Sequence, residues 1–243
     1  MDNNVKNFLD SIQDLKNTKF EVNCITTGEK FDCAPLSFKQ QKNIISTFTE
    51  GTVGVLKFQK MLNDIIVENT GSNGWLVVDK IPVILKLRKE SLGDIIKTSD
   101  GEINIRDIKI LEKIDIPLQH TVEGAVTVEL DTPTLFEENK VINYAIDILK
   151  KDGEKDVGKN LTNLFTFEIV KFVKSVKFGE KSLSFSELSI KDRISVIENL
   201  PLTINQDIAK FIDKVKEIDR SQTKVVIDGE EKSFDIDITF FDN

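Results

Sequence analysis

The stretch Ser175–Leu200, SVKFGEKSLSFSELSIKDRISVIENL, contains both kinds of element from which this chain is built. Its first part sets short apolar runs on either side of Gly179-Glu180. Glycine at the first central position of a two-residue connection suits a type II′ turn, so the pattern predicts a β-hairpin that opposes Val176 with Leu183. Its second part opens on Ser189, with Asp192 three residues on, and carries Ile190, Ile194 and Ile197 until Leu200-Pro201 stops it. A hydroxyl followed at that distance by an acceptor marks a capped helix start, and the isoleucine spacing makes one apolar face. A hairpin followed by a helix predicts an α+β fold, with amphipathic helices packed against short antiparallel hairpins and a central β section.

The Gly-Glu signature recurs. In FEVNCITTGEKFDCAPL (20–36) a pivot on Gly28-Glu29 places Cys24 directly opposite Cys33. Such opposition permits a disulfide by geometry. The opening MDNNVKNFLDS has no charged-then-apolar export pattern, so a reduced, partly buried pair is the expectation. In KVVIDGEEKSFDIDITFF (224–241) the pivot is Gly229-Glu230 or Asp228-Gly229, with Val225 facing Phe234. There Phe234, Ile236, Ile238 and Phe240 alternate with Asp235, Asp237 and Thr239, which reads as a half-buried strand with an acidic outer face.

Further cap signals lie at Ser37 with Gln40, Thr134 with Glu137 and Thr203 with Gln206. The first opens a helix carrying Phe38, Ile45 and Phe48 that Gly51 breaks; Val55, Phe58, Leu62 and Ile65 line the next. Leu135, Ile142, Ile146 and Leu149 follow Thr134, and Ile208, Phe211, Val215 and Ile218 follow Thr203. Leu161, Leu164, Phe165, Phe172 and Val173 mark another helical stretch, which makes the lysines of KFVKSVK (171–177) a solvated face. Asp79 caps a helix with Pro82 in its first turn and Gly93 at its end. Residues 101–131 read as β, with His120 in a connection. The expected organisation is a flexible stretch over 1–17, a hairpin, helix and central β region over 18–132, and a helical region with two hairpins over 133–243, which together can make one unit.

The chain has 243 residues, 40% hydrophobic and 30% charged, with 33 basic against 41 acidic side chains and a net charge of −8. That composition fits a folded chain and excludes collagen-like and low-complexity ones. The acidic field disfavours nucleic acid, and no apolar run is long enough for a bilayer, so neither is expected as a partner. Basic residues are mostly Lys; only Arg88, Arg106, Arg193 and Arg220 supply guanidinium forks for phosphate.

Chemical signatures are absent from the sequence: no Gly-x-Ser-x-Gly elbow, no phosphate-cradling loop, no His-Glu-x-x-His. His120 is the sole imidazole, and it reads as a loop residue; the cysteines have no histidine nearby in sequence. Carboxylate pairs such as Glu137-Glu138 and Glu230-Glu231 sit at helix starts and turns, where negative charge is favoured or solvated. No catalytic, metal or cofactor residue is assigned, and no cofactor is expected. Binding to other proteins is the reading that remains, through the apolar C-terminal strand (Phe234, Ile236, Phe240, Phe241) together with Trp75, the chain's one indole; the alternative, of at least equal weight, is that Phe240 and Phe241 close this chain's own core.

Five phrases in order resemble the baseplate hub proteins of contractile-tailed phages of the T-even type. They are APLSFKQQKNIISTFTEGTVGVLKFQKMLNDII (34–66), DKIPVILKLRKESLG (79–93), DTPTLFEENKVINYAI (131–146), SFSELSIKDRISVIENLPLTINQDIAKFIDKV (184–215) and ITFFDN (238–243). The resemblance covers residues from about 30 to 243 and implies a non-enzymatic tail protein, a resident subunit or an assembly chaperone, whose partners are other tail and hub proteins. It places the chain in the virion baseplate or, as an assembly intermediate, in the host cytoplasm, and leaves self-association open. The family brings no catalytic residue. The alternative from the residues alone is a small cytosolic enzyme using acidic side chains or a cysteine.

Overall fold

The computed structural model describes residues 18–47, 51–98, 101–108, 110–114, 117–152, 157–227, 230–237 and 239–241. The stretch expected to be flexible at the start, Phe48, residues 153–156, Asp228 and Gly229 of the last expected turn, and Ile238 lie outside them.

The fold is α+β. A first hairpin, β1 (Phe20–Asn23) and β2 (Lys30–Cys33), leads into α1 (Phe38–Thr47), α2 (Gly51–Thr70) and α3 (Lys80–Leu92). A second hairpin follows, β3 (Ile95–Thr98) with β4 (Gly101–Asn104), then β5 (Gln119–Val122) and β6 (Thr127–Asp131). Next come α4 (Leu135–Asp152), α5 (Val157–Phe172), β7 (Val173–Phe178), β8 (Lys181–Ser184), α6 (Ile190–Glu198) and α7 (Leu202–Gln222). A last hairpin joins β9 (Lys224–Ile227) to β10 (Glu230–Ser233). Strands β5 to β8 form one antiparallel sheet in that order, so segments on both sides of the expected boundary near 132 share a sheet. Their buried side chains, from Val22 to Phe241, also form one apolar cluster.

Cap chemistry positions several helices as expected. Ser37 and Gln40 exchange bonds, the Gln40 N–H to Ser37 Oγ at 3.2 Å and the Ser37 N–H to Gln40 Oε1 at 2.9 Å. Thr134 and Ser189 accept the amides of Glu137 and Asp192. Thr203 does not cap: α7 already starts at Leu202, after Pro201. In α1 the buried side chain is Ile44, while Phe38 and Ile45 point outward.

The hairpin around Gly179 has the expected register, Val176 opposite Leu183. The other two are shifted. In the first, Phe20 faces Cys33, and the chain closes through the Cys24 N–H to Glu29 O (2.8 Å) around a wider loop that ends on Gly28 at φ +76°. The cysteines are therefore not opposed, and both are free and buried. The cause is Asp79. Instead of capping α3, its fully buried carboxylate accepts the Thr26 N–H (3.1 Å), the Thr26 hydroxyl (2.9 Å) and the Leu76 N–H (3.0 Å), drawing the loop residues inward. In the last hairpin Val225 faces Lys232, and no strand continues over the described residues after Ser233. Phe234 turns into the core, and a short 3-10 turn, Thr239–Phe241, buries Phe240 and Phe241.

The segment read as one long helix to Val173 ends as a helix at Phe172, and β7 begins at Val173. The KFVKSVK lysines are consequently not one solvated helical face. Lys171, at the end of α5, is buried between Glu138 at 3.2 Å and Glu168 at 2.6 Å.

Candidate functional site

The residues proposed for partner contact are mostly interior. Trp75 is buried, its Nε1–H donating to Thr70 Oγ1 at 2.8 Å and its ring centroid 4.7 Å from that of Phe31. Phe240 and Phe241 are fully buried, and Phe234 stacks on Phe240 at 6.3 Å. The Phe240 carbonyl accepts from Arg88 Nε at 3.0 Å, and the Phe241 carbonyl accepts from Gln41 Nε2 at 3.0 Å. Ile236 is half-buried. A segment clamped by its side chains and carbonyls closes this protein's own core, so the docking assignment for Phe234, Phe240, Phe241 and Trp75 is corrected. Aromatic density at the chain's end was a signal for burial rather than for a free surface.

The groups an enzyme would use are distributed as follows. Burial pushes the Cys33 thiol up to about 12, away from the thiolate a nucleophile needs. Glu138, read as a solvated helix-start carboxylate, is buried in an ion network. Lys80 Nζ lies 2.6 Å from its Oε2, Lys171 Nζ 3.2 Å from its Oε1, and Asn63 Nδ2 donates to it at 2.8 Å. Burial alone would raise its pKa, but Lys80 and Lys171 outweigh that and hold it well below the usual carboxylate range. Glu168 links Lys171 to Lys216 of α7 at 3.2 Å. Asp219, one turn further along α7, is pushed up to about 7 by burial, with Lys80 opposing and Glu138 reinforcing. Among the described residues its Oδ1 has no hydrogen-bond partner. This network ties α3, α4, α5 and α7 together, and its partners are far apart in sequence, which is why it could not be read there.

An open cleft of about 610 Å³ lies elsewhere, between β5 and α7. Its strand side is Pro117 and Gln119 to Glu123; its helix side is Asp207, Lys210, Phe211, Lys214 and Glu217. Steps of three and four along α7 put these on one helix face about 15 Å long at 1.5 Å per residue. On the strand side, consecutive residues contribute. Since alternate side chains point to opposite faces, a cleft touching all of them runs along the strand's edge.

That edge is open. β5 ends the sheet and pairs only with β6 among the described residues. The Thr132 N–H donates to Leu118 O at 2.9 Å in continuation of the β5–β6 register. Antiparallel ladders alternate bonded and non-bonded pairs, so the N–H and C=O groups of Gln119 and Thr121 face outward into the cleft. His120, expected in a connection, stands in this strand opposite Leu130. Its ring stacks on buried Phe211 at 5.7 Å and 15°, and Phe211 meets Phe172 edge-on at 6.2 Å. The floor is therefore apolar, completed by buried Val122. The chain passes close to α7 just beyond β5, where a Cβ on Gly124 would sit 3.0 Å from Ile204 Cδ1.

The charged rim divides along its length. Asp207 is paired with Lys210 at 2.6 Å and Glu217 with Arg220 at 3.2 Å. Lys214 and Glu123 have no ion-pair partner among the described residues. Because Gly124 lies by Ile204 and His120 by Phe211, strand and helix run in opposite directions, with Glu123 near the Asp207 end and Gln119 near Lys214.

No helix among the described residues is long and apolar enough to cross a membrane, and no cluster of His, Cys, Asp and Glu there could hold a metal ion. No family model, curated protein or solved structure matches the chain.

Proposed function

We propose that the chain is a non-enzymatic protein of the baseplate hub of a contractile-tailed phage, a resident subunit or an assembly factor, acting by contact with other hub polypeptides in the virion or in precursor complexes in the host cytoplasm. The carrying observation is the cleft between β5 and α7, which offers unpaired backbone groups over an apolar floor, the chemistry that receives another chain. The ordered phrases from Ala34 to the end of the chain give that contact a setting.

The test is affinity capture of the tagged full chain from infected cells, with mass spectrometry of purified tails beside it. Specific co-purification of tail proteins is expected. Stoichiometric presence in finished tails identifies a subunit, and presence only in precursors identifies an assembly factor. Absence from both, or reproducible turnover of a small molecule by the pure protein, overturns the proposal.

A further inference from the structure

We infer that the β5–α7 cleft captures an extended peptide segment of the partner as a fifth strand of the sheet, with a basic, an apolar and an acidic side chain at alternate positions. This deepens the docking reading above and rests on it. The backbone supplies the first reason. Gln119 and Thr121 present two N–H and two C=O groups at the repeat a neighbouring strand uses, and the outer sheet edge carries no charge from β5 itself, whose sequence is Gln-His-Thr-Val. Three turns of α7 wall the other side over about 15 Å, room for about four or five extended residues at 3.3 Å each.

The lining gives the order of side chains. In an added strand the residues opposite Leu118, His120 and Val122 share the face that looks at α7. The one opposite His120 sits over the His120–Phe211 stack and is apolar. The one toward Val122 lies at the end of the cleft lined by Glu123, a carboxylate without an ion-pair partner among the described residues, so a cation fits there. The one toward Leu118 meets Lys214, the cation without an ion-pair partner among the described residues, so a carboxylate fits there. An antiparallel strand reads from the Glu123 end, giving basic-x-apolar-x-acidic from N to C.

A labelled peptide carrying Arg-Thr-Val-Thr-Glu, titrated into the full chain by fluorescence anisotropy, tests this. Saturable binding is expected, weakened about tenfold or more for the charge-reversed Glu-Thr-Val-Thr-Arg peptide and for a version N-methylated at the two threonines, whose amides would bond the outward carbonyls. Lys214→Glu is expected to lose the first peptide and to gain a peptide with Lys in place of its Glu. Its melting temperature and circular dichroism should stay those of the parent. Absence of binding above a scrambled peptide, or equal binding of the N-methylated form, overturns the strand-addition inference. Should tail proteins still co-purify with the chain in that case, the hub reading stands and only the mode of capture falls.

Discussion

The two edges of the four-stranded sheet are unlike. At β8 the edge sequence is Lys181-Ser182-Leu183-Ser184, with its lysine, its Leu183 and the neighbouring Phe178 exposed. At β5 the edge is uncharged, and α7 runs beside it to make a cleft with an aromatic floor. One row of side chains, Val122, Val128, Val176 and Leu183, crosses the whole sheet on one face; it is buried at β5 and open at β8, where Leu183 is 46% exposed. A lysine on an exposed edge strand is a common guard against unwanted pairing. The contrast teaches that exposed apolar area and a receptive edge are different things. The β8 end has more of the first, and the β5 end has the free backbone with a wall to confine a guest.

If α7 is what makes the β5 edge receptive, loosening α7 should remove the difference between the edges. Phe211→Ala deletes the floor and the ring contacts to His120 and Phe172, and is expected to cost about 3–5 kcal/mol in denaturant unfolding, as large aromatic truncations in a core do. Peptide binding should fall with it, measured at a temperature where the variant remains folded.

The charge network that seats α7 gives the next effects, of opposite sign. Glu138→Gln leaves Lys80 without its buried counter-ion and Lys171 with Glu168 alone, and about 3 kcal/mol of destabilisation is expected at pH 7. Because Glu138 ionises more readily in the fold than in the unfolded chain, its contribution is fully present above the ordinary carboxylate range and is lost as pH falls from that range toward the lower folded value. Asp219 runs the other way. Its folded value near 7 lies above the unfolded one of about 3.9, so the unfolded chain binds fewer protons between them and stability declines as pH rises through that window. Asp219→Asn should therefore be neutral near pH 4 and stabilise by about 1–3 kcal/mol at pH 8, read as a melting-temperature difference across pH. A uniform shift at all pH values would contradict the assignment.

The smallest effect belongs to the other edge. Phe178→Lys, at an exposed position next to β8, should change stability by less than about 0.5 kcal/mol and leave peptide affinity unchanged. A loss of binding comparable to that of Lys214→Glu would mean the docking edge had been assigned to the wrong side.

Local signals were legible in the sequence where local chemistry decides. The Val176–Leu183 register follows from a two-residue turn, and the caps at Ser37, Thr134 and Ser189 need only a side chain and an amide three residues away. Readings failed where a distant group intervened. Asp79 reaches back to Thr26 and widens the first hairpin, which no count from Gly28 could foresee. Phe172 and Val173 fit both a helical stripe and a strand, and pairing with β6 settles them as the end of α5 and the start of β7. Phe240 and Phe241 fitted a docking strand as well as a core because alternation shows which side is apolar, and not what covers it; here Phe58 and Phe234 meet the rings while Arg88 and Gln41 hold the carbonyls. The cleft was invisible for the same reason: β5 and the α7 face are each ordinary alone, and only their packing puts His120 over Phe211.

Amide hydrogen exchange of the full chain, resolved to single residues and recorded with and without saturating Arg-Thr-Val-Thr-Glu peptide, examines that edge directly. The outward amides of Gln119 and Thr121 should slow by about tenfold or more while those of β8 stay as they were. Unchanged exchange at Gln119 and Thr121 under saturation, or protection gained at β8 instead, would contradict a receptive β5 edge.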